Sequence, residues 1–107
     1  VSEIILTKTN QGQNFAIADG AMNDFIRPSL YDAWQKIIPI STVAHSGQIE
    51  ASFDIVGPVC ESGDFLGKGR QMRLQKGDLI AIQAAGAYGF VMASQYNNRC
   101  LPAEIII

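Results

Sequence analysis

Cysteine is scarce in this chain of 107 residues: Cys60 and Cys100 are the only two. Two widely spaced thiols cannot staple a small secreted scaffold, and they lack the paired spacing of a zinc site. Both read as reduced thiols in a cytoplasmic protein. Histidine is scarcer still. His45 stands alone in a polar loop context, with no neighbouring Ser, Asp or second His to build a triad or hold a metal, and it reads as an ordinary surface residue. Charged residues make up only 17% of the chain, the net charge is −2, and no Lys/Arg cluster occurs. That pattern excludes the basic field on which nucleic-acid binding depends. No apolar run approaches the roughly 20 residues that cross a bilayer. The longest weakly polar stretch, 84–93, is broken by glycines and a tyrosine. The amino terminus lacks the basic, apolar and small-residue succession of a signal peptide. Val1 leads almost directly into Ile4, Ile5 and Leu6, and three isoleucines close the chain, so both ends read as boundaries within a longer protein.

What is abundant is apolar side chain. Hydrophobic residues form 48% of the sequence, a balance suited to one compact domain with a real core. Ile49, Ala51, Phe53 and Ile55 alternate with Glu50, Ser52 and Asp54, the period-two signature of a strand with one buried face. Shorter strands are expected at 3–8, 14–19, 37–42, 78–84 and 103–107, separated by turn signals at Asn10-Gln11-Gly12, Ser46-Gly47, 62–69 and Lys76-Gly77-Asp78. The expected fold is therefore mainly β, a Greek-key β-barrel or sandwich of about six to eight strands with one or two short helices. One helix is expected from Pro28, with Leu30, Tyr31, Trp34, Ile37 and Ile38 at helical spacing before Pro39 stops it. A second helical turn is expected around 87–93.

Four polar groupings interrupt the apolar pattern. Arg27 and Tyr31, four apart at a helix entrance, share a face. A guanidinium beside a phenol suits a carboxylate, yet spacing alone favours a surface arginine and a half-buried tyrosine. Cys60 and Glu61 follow the clearest strand in a loop held by Pro58 and Gly63. There a thiol can move a proton and a carboxylate can bind an ammonium, although a buried structural thiol beside a solvated glutamate is the plainer reading. Tyr88 is ringed by residues with little side chain, which fits close ligand approach or close packing of a turn equally well. The stretch 63–69 ends in Gly67-Lys68-Gly69 but lacks P-loop spacing and reads as a flexible turn.

Taken together these segments resemble the C-terminal domain of the diaminopimelate decarboxylases, in the alanine-racemase-like class of pyridoxal-phosphate enzymes. The resemblance rests on Asp19-Gly20-Ala21-Met22-Asn23-Asp24, then Ile26-Arg27-Pro28-Ser29-Leu30-Tyr31, then Gly57-Pro58-Val59-Cys60-Glu61-Ser62-Gly63-Asp64. Gly86-Ala87-Tyr88-Gly89, Met92-Ala93-Ser94 and Tyr96-Asn97 follow in order. It implies that Arg27 and Tyr31 bind substrate carboxylate and that Tyr88 touches both cofactor phosphate and substrate. It further implies that Cys60, as catalytic proton donor, and Glu61, as ammonium ligand, reach across a homodimer interface into the partner's active site. The implied cofactor is pyridoxal 5'-phosphate, and the implied reaction converts meso-2,6-diaminopimelate to L-lysine and carbon dioxide. The Schiff-base lysine is expected in an upstream (β/α)₈ barrel that 1–107 does not contain, since neither Lys68 nor Lys76 sits in a matching motif. Gly20-Ala21 departs from the usual alanine-then-glycine order, at a turn rather than a ligand. Cys100 matches no catalytic position and is expected to be packing. Ornithine and arginine decarboxylases share the fold but typically carry aspartate after the cysteine, so Glu61 favours diaminopimelate. A β-barrel binding module that lost the chemistry is the alternative outside the enzyme class.

Overall fold

The computed structural model of the chain describes residues 1–40 and 49–107. Its elements are β1 (Ser2–Asn10), β2 (Gln13–Ala18), α1 (Arg27–Tyr31), β3 (Ile37–Pro39), β4 (Ala51–Val56), β5 (Phe65–Met72), β6 (Leu79–Ile82) and α2 (Gly86–Val91), followed by a 3₁₀ turn at Tyr96–Asn98. The six strands form one sheet in the order β3-β6-β1-β2-β4-β5, curled into a nearly closed barrel. Every pairing is antiparallel except β2 with β4, which run parallel. The mainly β expectation and the two short helices hold.

Local chemistry accounts for the elements. Gln11 (φ 50°) and Gly12 (φ 81°) both take the left-handed conformation that a tight β1–β2 hairpin demands. An irregularity between Ile4 and Leu6 bends β1, whose first residues pair with β6 while the remainder pairs with β2. Phe53 and Ile55 of β4 face inward as their alternation requires, and they meet Ile4, Ala16, Ala18, Leu66 and Ile80 in the core. At the seam, β5 and β3 approach without pairing. Arg70 Nη1 of β5 donates 2.6 Å to the Gln35 carbonyl, and the Arg70 guanidinium lies 4.4 Å from the Trp34 ring centroid. Burial lowers the Arg70 pKa from its ordinary value.

Several expectations are corrected. The first helix ends at Tyr31, because Asp32 turns left-handed (φ 53°) and returns its N–H to the Arg27 carbonyl. Ile37 and Ile38 instead form β3 against β6, where their β-branched side chains suit a pleated surface. Residues 65–72 are a strand and not a flexible turn, with Leu66, Gly67 and Arg70 buried. Glycines hid that strand by lowering its apparent propensity. Residues 103–107 make no strand and are exposed, and Ile49 is 87% exposed outside β4. Cys100 is exposed rather than packed. His45, Ser46-Gly47 and the end of the 37–42 segment lie outside the described residues. No helix is long and apolar enough to cross a membrane among the described residues.

Gly67 is the tightest point of the seam: a methyl there would lie 2.8 Å from Ile37 Cδ1 and 3.0 Å from Arg70 Nε. Gly67→Ala is expected to destabilise the fold by about 1–3 kcal/mol, the usual cost of overpacking. Denaturant unfolding checks it, and an unchanged midpoint would contradict this account of the seam.

Candidate functional site

Arg27 opens α1 and Tyr31 closes it, so one helical turn places both on the same side. The Arg27 guanidinium carbon lies 5.4 Å from the Tyr31 ring centroid and 5.4 Å from that of Tyr88. Tyr88 arrives from α2, whose buried Gly89 would place a methyl 3.6 Å from the Phe25 ring, in ordinary contact. Packing of α2 on Phe25, just ahead of α1, is thus what brings Tyr88 to Arg27. The two rings are 59% and 63% exposed, so the cation is flanked by aromatic faces yet open to the outside. Among the described residues, neither phenol oxygen and no guanidinium nitrogen of this trio has a hydrogen-bond partner. One cation and two phenols with their donors unspent have the chemistry to bind an anion such as a carboxylate.

Cys60 and Glu61 sit at the tip of the β4–β5 hairpin, whose strands close at Val56 and Phe65. The loop 57–64 is tied at its base by the Gly57 N–H donating to the Asp64 carbonyl at 3.1 Å. Inside it, the Glu61 N–H donates to the Val59 carbonyl (2.8 Å) and the Asp64 N–H to the Glu61 carbonyl (3.0 Å). Both Cys60 and Glu61 are exposed, so the thiol is not the buried structural group its type usually is. Among the described residues, neither bonds to Arg27, Tyr31 or Tyr88. The fold therefore presents two groupings not bonded to each other, an arginine–tyrosine cluster and a thiol–carboxylate tip.

Four residues that hold these groupings stand in or next to the segments that carry the resemblance but receive no role from sequence alone. Asp64 is 4% exposed, and its carboxylate accepts from the Val59 N–H (2.6 Å) and the Met22 N–H (2.7 Å), joining the hairpin tip to the loop that leads into α1. A methyl at Gly57 would collide with that carboxylate. Asn23, 2% exposed, donates to the Ser94 carbonyl (3.1 Å) and accepts from Arg99 Nε (2.7 Å). Arg99 also reaches the Asp19 carbonyl at 2.5 Å and Asp24 at 3.4 Å. Tyr96 donates its hydroxyl to Glu61 Oε2 at 2.5 Å. These bonds link residues far apart in sequence, which periodicity cannot reveal; the only available signal was that polar residues clustered in the same short segments as the candidates. No group of three or more His, Cys, Asp and Glu able to hold a metal exists among the described residues.

Comparison with known proteins decides what this arrangement belongs to. Residues 1–86 match the family described as "Pyridoxal-dependent decarboxylase, C-terminal sheet domain". The chain belongs to that family. Within it, the chain is 50% identical over all 107 residues to a diaminopimelate decarboxylase of Vibrio cholerae. It spans 25% of that protein, so it corresponds to about a quarter of the relative it matches. Among solved structures it resembles the Helicobacter pylori diaminopimelate decarboxylase complexed with L-lysine, with TM-score 0.79 and 44% identity over 90% of this chain and 23% of that one. It also resembles the diaminopimelate decarboxylase of M. jannaschii in co-complex with L-lysine, with TM-score 0.85 and 33% identity over 94% of this chain and 23% of that one. The family assignment made from the motifs is thereby confirmed.

Two outcomes follow from this geometry. Asp64→Asn replaces one of two accepting oxygens by a donor, leaving the Val59 or Met22 N–H unpaired in a dry site. It is expected to cost about 1–3 kcal/mol in denaturant unfolding, and an unchanged midpoint would show that the carboxylate does not tie the loops. The Glu61 hydrogen bond first, then the Glu61 charge, and last desolvation hold the Tyr96 phenol above its ordinary pKa. The bond is therefore intact below the normal tyrosine range and fades only as pH rises through the raised value. NMR titration of Tyr96 is expected to move down in pH on Glu61→Gln, and no movement would deny the bond.

Proposed function

We propose that the chain is the C-terminal sheet part of a pyridoxal-phosphate-dependent diaminopimelate decarboxylase, a cytoplasmic enzyme converting meso-2,6-diaminopimelate to L-lysine and carbon dioxide. The observation that carries this reading is the Arg27 guanidinium held between the open Tyr31 and Tyr88 rings with its donors unspent. A substrate whose non-reacting end carries a carboxylate gives that receptor something to bind. Arg27 can engage both oxygens, and the Tyr31 hydroxyl adds a third donor. The relatives whose structures hold L-lysine, an amino acid with such a carboxylate, support the same reading.

The residues present also suit contact with the cofactor, though not its attachment. Tyr88 offers a free phenol that can donate to a phosphate. None of the five candidate residues, Arg27, Tyr31, Tyr88, Cys60 and Glu61, is a lysine, and Lys68 Nζ instead lies 4.2 Å from the Phe65 ring centroid. Our reading puts the Schiff-base lysine in a separate (β/α)₈ barrel domain and the complete site at a homodimer interface. When bound, pyridoxal phosphate supplies an electron sink for the pair left by the breaking carbon–carboxylate bond.

This chain's own residues position and protonate. Arg27 and Tyr31 fix the far carboxylate, so that the other carboxylate is the one presented for loss. Glu61 binds the far ammonium, which an exposed carboxylate does with charge-assisted hydrogen bonds. The Cys60 thiol donates its proton to the carbon from which carbon dioxide has left, and the resulting thiolate regains a proton from solvent. Cys60 and Glu61, exposed and unbonded to the Arg27 cluster, would serve a second active site, the tip reaching into that of the partner subunit.

In the full-length protein with pyridoxal phosphate, Cys60→Ala is expected to lower kcat on meso-diaminopimelate by about 100-fold or more, with cofactor absorbance and thermal unfolding unchanged. Unchanged turnover would remove the proton-donor role. Faster turnover of ornithine than of meso-diaminopimelate by the unmodified protein would overturn the substrate, and no turnover of either would leave a binding module.

A further inference from the structure

Tyr96 carries the clearest unassigned role. Its hydroxyl donates to Glu61 Oε2 at 2.5 Å, although both residues are exposed. An exposed glutamate otherwise samples many rotamers, and holding it in one geometry costs entropy that the ligand must supply at the moment of binding. Here the chain has already fixed it.

The backbone around Tyr96 is strained in a way that serves this contact. Asn97 (φ 62°) and Asn98 (φ 58°) are consecutive left-handed residues, a conformation that non-glycine residues adopt at a cost and asparagine tolerates best. The Arg99 N–H closes the turn onto the Tyr96 carbonyl at 3.4 Å, and the Tyr96 N–H donates to Ser94 Oγ at 3.3 Å. Ser94 and Arg99 are both clamped to buried Asn23. Tyr96 is thus anchored on either side in sequence, while Glu61 is anchored through its own backbone in the hairpin tip. The carboxylate links two fixed platforms.

A cleft of about 320 Å³ opens between them, lined by Met22, Ile26, Glu61 and Tyr96 together with Asn23 and Ser94. Its thioether and isoleucine suit a methylene chain. With Oε2 taken by Tyr96, Oε1 has no partner among the described residues and is left for an incoming donor.

From these observations we infer that Tyr96 is a positioning residue: it orients Glu61 so that one carboxylate oxygen is presented to the ammonium at the non-reacting end of the substrate. The inference rests on the decarboxylase reading and deepens it. Tyr96 touches no substrate; its effect passes through Glu61, and it should govern binding rather than the bond-breaking step.

The test is a double-mutant cycle in the full-length, cofactor-loaded protein, comparing wild type, Tyr96→Phe, Glu61→Gln and the double variant on meso-diaminopimelate. Phenylalanine keeps the half-exposed ring and removes only the hydroxyl. Tyr96→Phe is expected to raise KM by about tenfold, the size of one hydrogen bond to a charged group, with kcat within about twofold, and to add nothing in the Glu61→Gln background. Any shared loss of fold cancels across the cycle. A wild-type KM in Tyr96→Phe, an equal rise in both backgrounds, or a KM indifferent to Glu61→Gln would each overturn the inference while leaving the decarboxylase reading standing. A wild-type protein without activity on meso-diaminopimelate would sink both.

Discussion

The buried carboxylate of Asp64 is the constraint on which the rest depends. It accepts N–H groups from Val59, one residue before the thiol, and from Met22, in the loop that leads into α1. A charge removed from water demands such partners, and these two lie far apart in sequence, so satisfying Asp64 fixes the hairpin tip against the helix entrance. From there the links continue through Asn23 to Ser94 and Arg99, and through Tyr96 back to Glu61. The result is a closed circuit of polar contacts whose members each hold another member in place. Such circuits fix side-chain positions more tightly than apolar packing does, because every member has directional partners.

The barrel beneath does quieter work. Its core of Ile4, Ala16, Ala18, Ile55, Leu66 and Ile80 is apolar and fully buried, and it supports β4 and β5 beneath the loop they carry. Asp19 shows the same logic at the edge of the sheet. Burial works against its charge, but hydrogen bonds from Ser2, Glu3 and Gly20 together outweigh that and hold its carboxyl below the ordinary value. Among the described residues Tyr31, Tyr88, Cys60 and Glu61 are exposed, Arg27 is half-buried between its two tyrosine rings, and the one hydrogen bond these side chains make is that of Tyr96 to Glu61.

Much of this was legible in the residues. β4 declared itself by alternation, and the loop after it by proline and glycine. Arg27 and Tyr31 were placed on one face by helical spacing, a judgement that survives even though the helix stops at Tyr31. The failures share a cause. β5 was obscured by Gly67, whose presence reflects close approach at the seam, and by Gly69, which takes a left-handed conformation (φ 61°) within the strand. Ile37 and Ile38 fit helical or strand periodicity equally, and only pairing with β6 decides between them. The carboxy-terminal isoleucines look like a strand but have no partner within the described residues. Asp64, Asn23, Tyr96 and Arg99 act through contacts that local pattern does not encode, so their roles emerge only in three dimensions.

The measurement that bears most directly on the account is an experimental structure of the full-length protein crystallised with L-lysine. The account predicts the ligand carboxylate within hydrogen-bonding distance of Arg27 and Tyr31, and its α-ammonium against Glu61 of the partner subunit. L-lysine bound elsewhere, with Arg27 still lying between its two rings and touching nothing, would contradict it.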